Sequence, residues 1–270
     1  MIKNIFIIGI DGAGNAPLDP LICPNIHRIS KKGIVANNVR TIFPSISAQA
    51  WGSMFLSVMP KQHRFTNEYV KKYANLGADF PSLFNVINKN YPNFSLASFC
   101  SWNGVNTGII ENLRDCLKQT NEENKLVNDA ANYIKNCDDG LFFLHLDEVD
   151  HAGHKFGYFE PDYIKHLIHA DENVGLILDS IEDADKFEDS LIIIVSDHGG
   201  GGANKFAHGS NLPKDMEIFI IASGGNLPKG KIINNCASIL DITPFILNEL
   251  NIDIPKYMLG NPNFFLNGDF

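Results

Sequence analysis

Three short apolar runs of this sequence each end in an acid, and two of them also bring histidines. "NIFIIGI" at 4–10 leads into Asp11. "GLFFLHL" at 140–146 continues as "DEVDHAGH", which supplies Asp147, Glu148, Asp150, His151 and His154. "SLIIIVS" at 190–196 ends in Asp197 and His198. A single acid after a strand is an ordinary turn or cap residue. Three such ends together read as a metal-ligand set, because carboxylates and neutral imidazoles suit Zn²⁺, Mn²⁺ or iron and no cysteine belongs to the group. Gly153 is expected to turn the backbone tightly between Asp150 and His154, so that both side chains reach one ion. The four-glycine run 199–202 is expected to form a flexible loop that swings His208 of "AHGS" back over the site. A serine is the other candidate for chemistry. "FPSISAQAWGS" at 43–53 places Ser47 at a strand-to-helix junction, where it also reads as a helix cap. It has neither an adjacent base nor the Gly-x-Ser-x-Gly elbow that exposes a serine nucleophile. Ser45 and Ser53 read as turn and helix residues. His145, inside a strand, reads as a satisfied core histidine, His166 and His169 as exposed residues of a helix, and His27 and His63 as structural.

The elements that must position these groups follow from the same runs. Short, nearly continuous apolar segments are strands buried on both faces, as in a parallel sheet covered by helices. "EIFIIAS" (217–223) is a fourth, and 94–99 and 34–43 are weaker candidates. Between 160 and 181, Tyr163, Leu167, Ala170, Val174, Ile177 and Ile181 recur at helical spacing, with Asp162, Lys165, His166, His169, Glu172 and Asn173 on the opposite face. Segments 124–136 and 237–250 are also helical in pattern. Strands alternating with helices predict an α/β chain, a three-layer αβα sandwich around a mainly parallel sheet. Residues 1–270 are read as one domain. The interval 60–120, rich in Asn, Pro and aromatics, is read as a small cap segment over one end of the sheet. Open parallel sheets bind ligands outside the carboxyl ends of their strands, so the three acidic clusters are expected to converge in one crevice.

With 270 residues, 44% hydrophobic and 20% charged, the chain can bury a sizeable core. The net charge of −9 argues against binding a nucleic acid polymer. A small phosphorylated substrate would need local positive charge, for instance from metal ions. Cysteines 23, 100, 116, 137 and 236 are scattered without a CxxC, the pattern of reduced thiols. The opening apolar run is too short for a secretion signal, and no stretch approaches the ~18 apolar residues of a membrane span. A cytoplasmic protein with no membrane partner is expected; the sequence specifies no oligomeric state.

In order, Asp11, Ser47 within "FPSISAQAW", "DHAGH", "SDHG" and "AHG" resemble the alkaline phosphatase superfamily, closest to its type I phosphodiesterase/nucleotide pyrophosphatase branch. The matching motifs run from residue 6 to residue 209. The resemblance implies two divalent metal ions, zinc first and manganese second. Asp150, His154 and His208 would hold one; Asp11, Asp197, His198 and the Ser47 oxygen would hold the other. It implies in-line attack by Ser47 on a phosphate ester, through a phosphoseryl intermediate. A divalent ion lowers the pKa of a coordinated hydroxyl by many units, so no histidine base is needed. The branch more often carries Thr as nucleophile, and Arg64 in "QHRFTN" stands where it carries a glycine. Asn67 is then the counterpart of an Asn that binds a phosphoryl oxygen, assisted by the Ala48 amide at a helix N-terminus.

Other members of the superfamily fit less well. Sulfatases need Cys/Ser-x-Pro-x-Arg, and Ser47-Ala48-Gln49-Ala50-Trp51 has neither Pro nor Arg. Phosphosugar mutases carry an inserted domain for which the chain between Ser47 and Asp150 leaves little room. A phosphomonoesterase would call for a guanidinium clamp, with Arg64 the candidate. A diester site calls for an apolar platform, for which Phe65, Phe99, Trp102 and Tyr158 are candidates. Diester or nucleotide pyrophosphate-type substrates are favoured. An inactive metal-binding homologue is disfavoured by the complete ligand set.

Overall fold

The apolar runs become the middle of one mixed sheet in the computed structural model, which describes residues 2–75, 77 and 79–265. Nine strands are found among these residues: β1 (Asn4–Ile10), β2 (Gly33–Arg40), β3 (Ser95–Cys100), β4 (Cys116–Thr120), β5 (Gly140–Leu146), β6 (Ser190–Ser196), β7 (Glu217–Ser223), β8 (Lys231–Ile233) and β9 (Ala237–Ser238). Their order is β4-β3-β5-β1-β6-β7-β2-β8, with β9 beside β2. Only β7 runs against its neighbours, antiparallel to both β6 and β2. Every residue of β1, β5 and β6 is buried. That is why their sequences read as unbroken apolar runs rather than alternating ones.

Helices cover both faces. They are α1 (Ser47–Leu56), α2 (Pro60–His63), α3 (Asn67–Val70), α4 (Leu83–Asn90), α5 (Glu123–Asn136), α6 (Glu148–Phe156), α7 (Pro161–Asp183), α8 (Pro213–Met216) and α9 (Ile242–Glu249). Alternate β1 residues enter different cores. Ile5 and Ile7 join Met54, Phe84 and Phe245 from α1, α4 and α9. Phe6, Ile8 and Ile10 join Leu126, Tyr163 and Leu167 from α5 and α7. This is the expected αβα sandwich.

Of the interval 60–120, β3 and β4 belong to the sheet itself, while α2 and α3 pack against α1. The helix read at 237–250 begins at Ile242, because Ala237 and Ser238 pair with β2. All five cysteines are unpaired. No helix among the described residues is long and apolar enough to cross a membrane.

Candidate active site

The three parallel strands β5, β1 and β6 lie side by side, so their carboxyl ends deliver Asp147, Asp11 and Asp197 to one edge of the sheet. Ser47 is the first residue of α1. Ile46 occupies the N-cap position and no side chain caps the helix, so Ser47 is not the cap that the sequence allowed. Its hydroxyl turns to the strand ends instead, 3.2 Å from His198 Nε2 and 3.5 Å from Asp11 Oδ1. His198 Nε2 also lies 3.3 Å from Asp11 Oδ1 and 3.4 Å from Asp197 Oδ2. One ring nitrogen cannot hydrogen-bond to three oxygens at once. Four ligands held 2.0–2.2 Å from a tetrahedral ion stand about 3.3–3.6 Å apart, close to the 3.2–3.5 Å of these four pairs. Asp197 Oδ2 is buried and makes no hydrogen bond, an orphan that a cation would satisfy.

A second cluster adjoins the first. Asp150 and His154 sit one turn apart on α6, with His154 Nε2 3.3 Å from Asp150 Oδ2. His208 Nε2 is 3.9 Å from Asp150 Oδ1, and its ring stacks on that of His198 with centroids 3.8 Å apart. Ligand atoms of Asp150, His198 and His208 lie within 4.8 Å of one another, as do those of Asp11, Asp197 and His198. All three histidines use Nδ1 on a backbone carbonyl. His198 meets Gly199 at 2.9 Å, His154 meets Phe206 at 2.8 Å and His208 meets Ser45 at 2.7 Å. Each therefore donates from Nδ1 and turns Nε2 inward, the nitrogen at which a metal ion would take the place of a proton.

The electrostatics agree. Among the described residues, every ion-pair partner of Asp11, Asp147, Asp150 and Asp197 is a histidine. Burial, then the charge of Asp11, pushes the Asp197 carboxyl well above the usual range. The same two causes raise Asp147 to about 7. Burial is the largest effect on Asp11 and Asp150 too, but the hydrogen bonds from His145 and His154 together with the charges of the neighbouring histidines outweigh it and hold both below the usual range. His154, bonded to Asp150, rises to about 9. His208 falls to about 4 through burial and the neighbouring His198. Carboxylates so crowded that one is forced towards neutrality, with histidine donors aimed among them, fit divalent cations.

The glycines act differently from expectation. Gly153 is not a turn but a helical residue, and the i, i+4 spacing alone brings Asp150 and His154 together. A Cβ at Gly153 or at Gly200 would lie 2.5 Å from the ring of Tyr158. Both glycines admit that ring, whose hydroxyl donates to Asp150. Tyr158 is thus buried and holds a carboxylate, and offers substrate no platform. The loop bearing His208 is fastened rather than loose: buried Asp215 accepts from Gly202 N at 2.8 Å and from Ser210 N at 2.9 Å.

The remaining candidates separate. Asn67 lies beside Ser47, its Oδ1 accepting from the Ala48 amide at 2.9 Å, so that amide is engaged and not available to a phosphoryl oxygen. Arg64 is exposed and closes α2 in the left-handed region. Phe65 and Phe99 are buried in the two cores. Trp102 is half-buried, its ring 6.3 Å from that of His145. Sequence reasoning missed Trp51 and His145, both of which hydrogen-bond to Asp11 Oδ2, at 3.0 and 2.9 Å. His145 is buried as expected, but its Nε2 is committed to the site rather than to the core. The signal for Trp51 was present, since it follows Ser47 by one helical turn. His145 needed the pairing of β1 with β5.

A parallel-centred αβα sandwich with a serine, carboxylates and histidines gathered at its strand ends defines the class of the protein, the alkaline phosphatase superfamily. Within it, the chain belongs to the type I phosphodiesterase/nucleotide pyrophosphatase family, whose model matches residues 5–75 and 90–242. The human ectonucleotide pyrophosphatase/phosphodiesterase family member 1 is 24% identical over 223 residues, covering 75% of this chain and 24% of that protein. Human N-sulphoglucosamine sulphohydrolase is 32% identical over 105 residues, 36% of this chain and 20% of its own length. The solved structure of murine ectonucleotide pyrophosphatase/phosphodiesterase 5 superposes with a TM-score of 0.79 at 14% identity, over 96% of this chain and 98% of that one. That murine protein, in an inactive form, has also been solved in complex with AMP. The matches span about a quarter or less of the length of these curated relatives.

Proposed function

We propose that the chain is a divalent-cation-dependent hydrolase of phosphate esters, with Ser47 as nucleophile and diesters or nucleotide pyrophosphate-type compounds as preferred substrates. The observation that carries this reading is the convergence of Ser47 Oγ, Asp11 Oδ1 and Asp197 Oδ2 on His198 Nε2. Asp11, Asp197, His198 and Ser47 would hold one cation, and Asp150, His154 and His208 the other, with zinc favoured by the imidazole and carboxylate donors and manganese second. When bound, the cations supply Lewis-acid charge that lowers the pKa of the serine hydroxyl and offsets the phosphoryl charge. The Ser47 hydroxyl gives its proton to solvent, its Oγ forms a bond to phosphorus as the bond to the leaving oxygen breaks, and the leaving alcohol or phosphate takes a proton from solvent. Water then cleaves the phosphoseryl ester and restores the hydroxyl. Asn67, with its carbonyl already on the Ala48 amide, has its Nδ2 protons free to bind a phosphoryl oxygen.

The diester preference is supported by the family match. The cavity of about 490 Å³ beside Asp147 is lined by polar residues such as Ser101, Thr120 and Glu122 and offers no apolar platform. The AMP complex of the murine relative supports a nucleotide-type substrate. Sulfatases share the fold, but Gln49 and Trp51 stand where their signature needs Pro and Arg. The test is a rate comparison on bis-p-nitrophenyl phosphate and p-nitrophenyl phosphate with Zn²⁺ and with Mn²⁺. Turnover should be faster on the diester, and Ser47→Ala should abolish it while retaining bound metal. Inactivity on both esters in a metal-replete preparation would overturn the proposal.

A further inference from the structure

Asp11 divides its two oxygens between different tasks. Oδ1 faces Ser47 Oγ and His198 Nε2. Oδ2 accepts from Trp51 Nε1 at 3.0 Å and from His145 Nε2 at 2.9 Å. All three side chains are fully buried, so no water competes for these bonds. We infer that Trp51 and His145 are positioning residues that hold Asp11 by Oδ2, so that Oδ1 alone is presented to the nucleophile and to the cation beside it.

The surrounding structure is shaped for this arrangement. Trp51 lies one helical turn after Ser47, so one face of α1 carries both the nucleophile and a donor to its partner carboxylate. Its indole lies directly over β1 at Gly9, where a Cβ would come within 2.4 Å of the ring. A glycine inside a fully buried strand marks such a close approach. His145 is the register partner of Gly9 across β1 and β5, so its ring stands on the same face, and the indole packs edge-on against it with centroids 5.3 Å apart. Strand pairing sets where the imidazole stands, and the helix sets where the indole stands. A carboxylate bonded from both directions cannot rotate to exchange its oxygens. Partners that orient a ligating group in this way are worth about 10–100-fold in metal affinity.

The inference rests on the two-cation reading, and Mn²⁺ titration followed by the electron paramagnetic resonance of the free ion separates the two. The wild type should bind two Mn²⁺. Trp51→Phe, which keeps the ring and removes the donor, should weaken one of them by about 10-fold or more and leave the other unchanged. His145→Leu should do the same, and His145→Gln, whose amide donates from a similar position, should recover most of the loss. Tyr158→Phe, which frees Asp150, should weaken the other ion, so that the double variant Trp51→Phe/Tyr158→Phe weakens both. Folding of each variant is checked by circular dichroism, and Trp51→Phe carries the test if His145→Leu does not fold. A folded Trp51→Phe protein that binds both ions with wild-type affinity overturns the inference alone. A wild type that binds no Mn²⁺ overturns it together with the proposed function.

Discussion

His63 should make the fold acid-labile, by an amount that follows from its surroundings. The residue ends α2 and is buried against α1. Its Nδ1 accepts from the Phe65 amide at 3.0 Å, so the ring proton sits on Nε2, 3.2 Å from Ser53 Oγ. Protonation would turn Nδ1 from acceptor to donor, breaking the bond to Phe65 and placing a charge in the core. Burial, only partly opposed by the Gln49 carbonyl, lowers the pKa to about 4. In the unfolded chain it returns to about 6.5. Between these values the unfolded state binds a proton that the native state does not, so stability falls as pH drops through 6.5 and levels off below 4. At about 1.4 kcal/mol per pH unit, the loss between pH 7.5 and 4.5 is about 2.5 kcal/mol. Urea unfolding across that range, for wild type and His63→Gln, measures it. Other groups titrate in both proteins, so the difference between the two curves is the quantity to read. The wild-type curve should fall about 2.5 kcal/mol further than that of the variant. Curves that run parallel would refute the reasoning, whatever the offset between them.

Two further outcomes concern the His208 loop and the cation sites. Asp215→Asn leaves one acceptor oxygen where Gly202 and Ser210 each donate to one, and sets an NH₂ group against an amide N–H. It should cost about 1–3 kcal/mol in a denaturant melt and weaken one Mn²⁺ through the loosened His208 loop; a variant with wild-type stability contradicts the clamp. Chelation with EDTA should lower the melting temperature and added Zn²⁺ should restore it, since ligands of the native state stabilise by mass action; an unchanged melting temperature counts against the cation sites.

Much of the site was readable because it follows a rule of topology. Asp11, Asp150, Asp197 and His198 could be grouped from sequence because ligands gather beyond the carboxyl ends of buried parallel strands, and the apolar runs locate those strands. The direction of β7 was not readable, since a strand buried on both faces has the same composition whichever way it runs. The roles of Trp51 and His145 depend on a helix packing across β1 and on a register between residues 9 and 145. Local periodicity carries neither. Gly153 and Gly200 were misread for a related reason. Their missing side chains make room for Tyr158, and that contact belongs to the tertiary structure rather than to the backbone's local preference.

Hydrogen bonds join the glycine-rich segment 199–210 to the turn before Ser47, which bears on how Ser47 is held. Ser45 donates its hydroxyl to the Ser210 carbonyl at 2.8 Å and accepts from His208 Nδ1 at its own carbonyl. His154, on α6, is tied to the same segment through the Phe206 carbonyl. His198 at the end of β6 stacks on His208 and reaches Ser47. A shift of this segment would therefore move His208 and Ser45 together, and with Ser45 the start of α1. Asp215 holds the segment at two amides, so a single buried carboxylate on α8, outside the site, braces both the histidine that faces Asp150 and the turn that leads into Ser47.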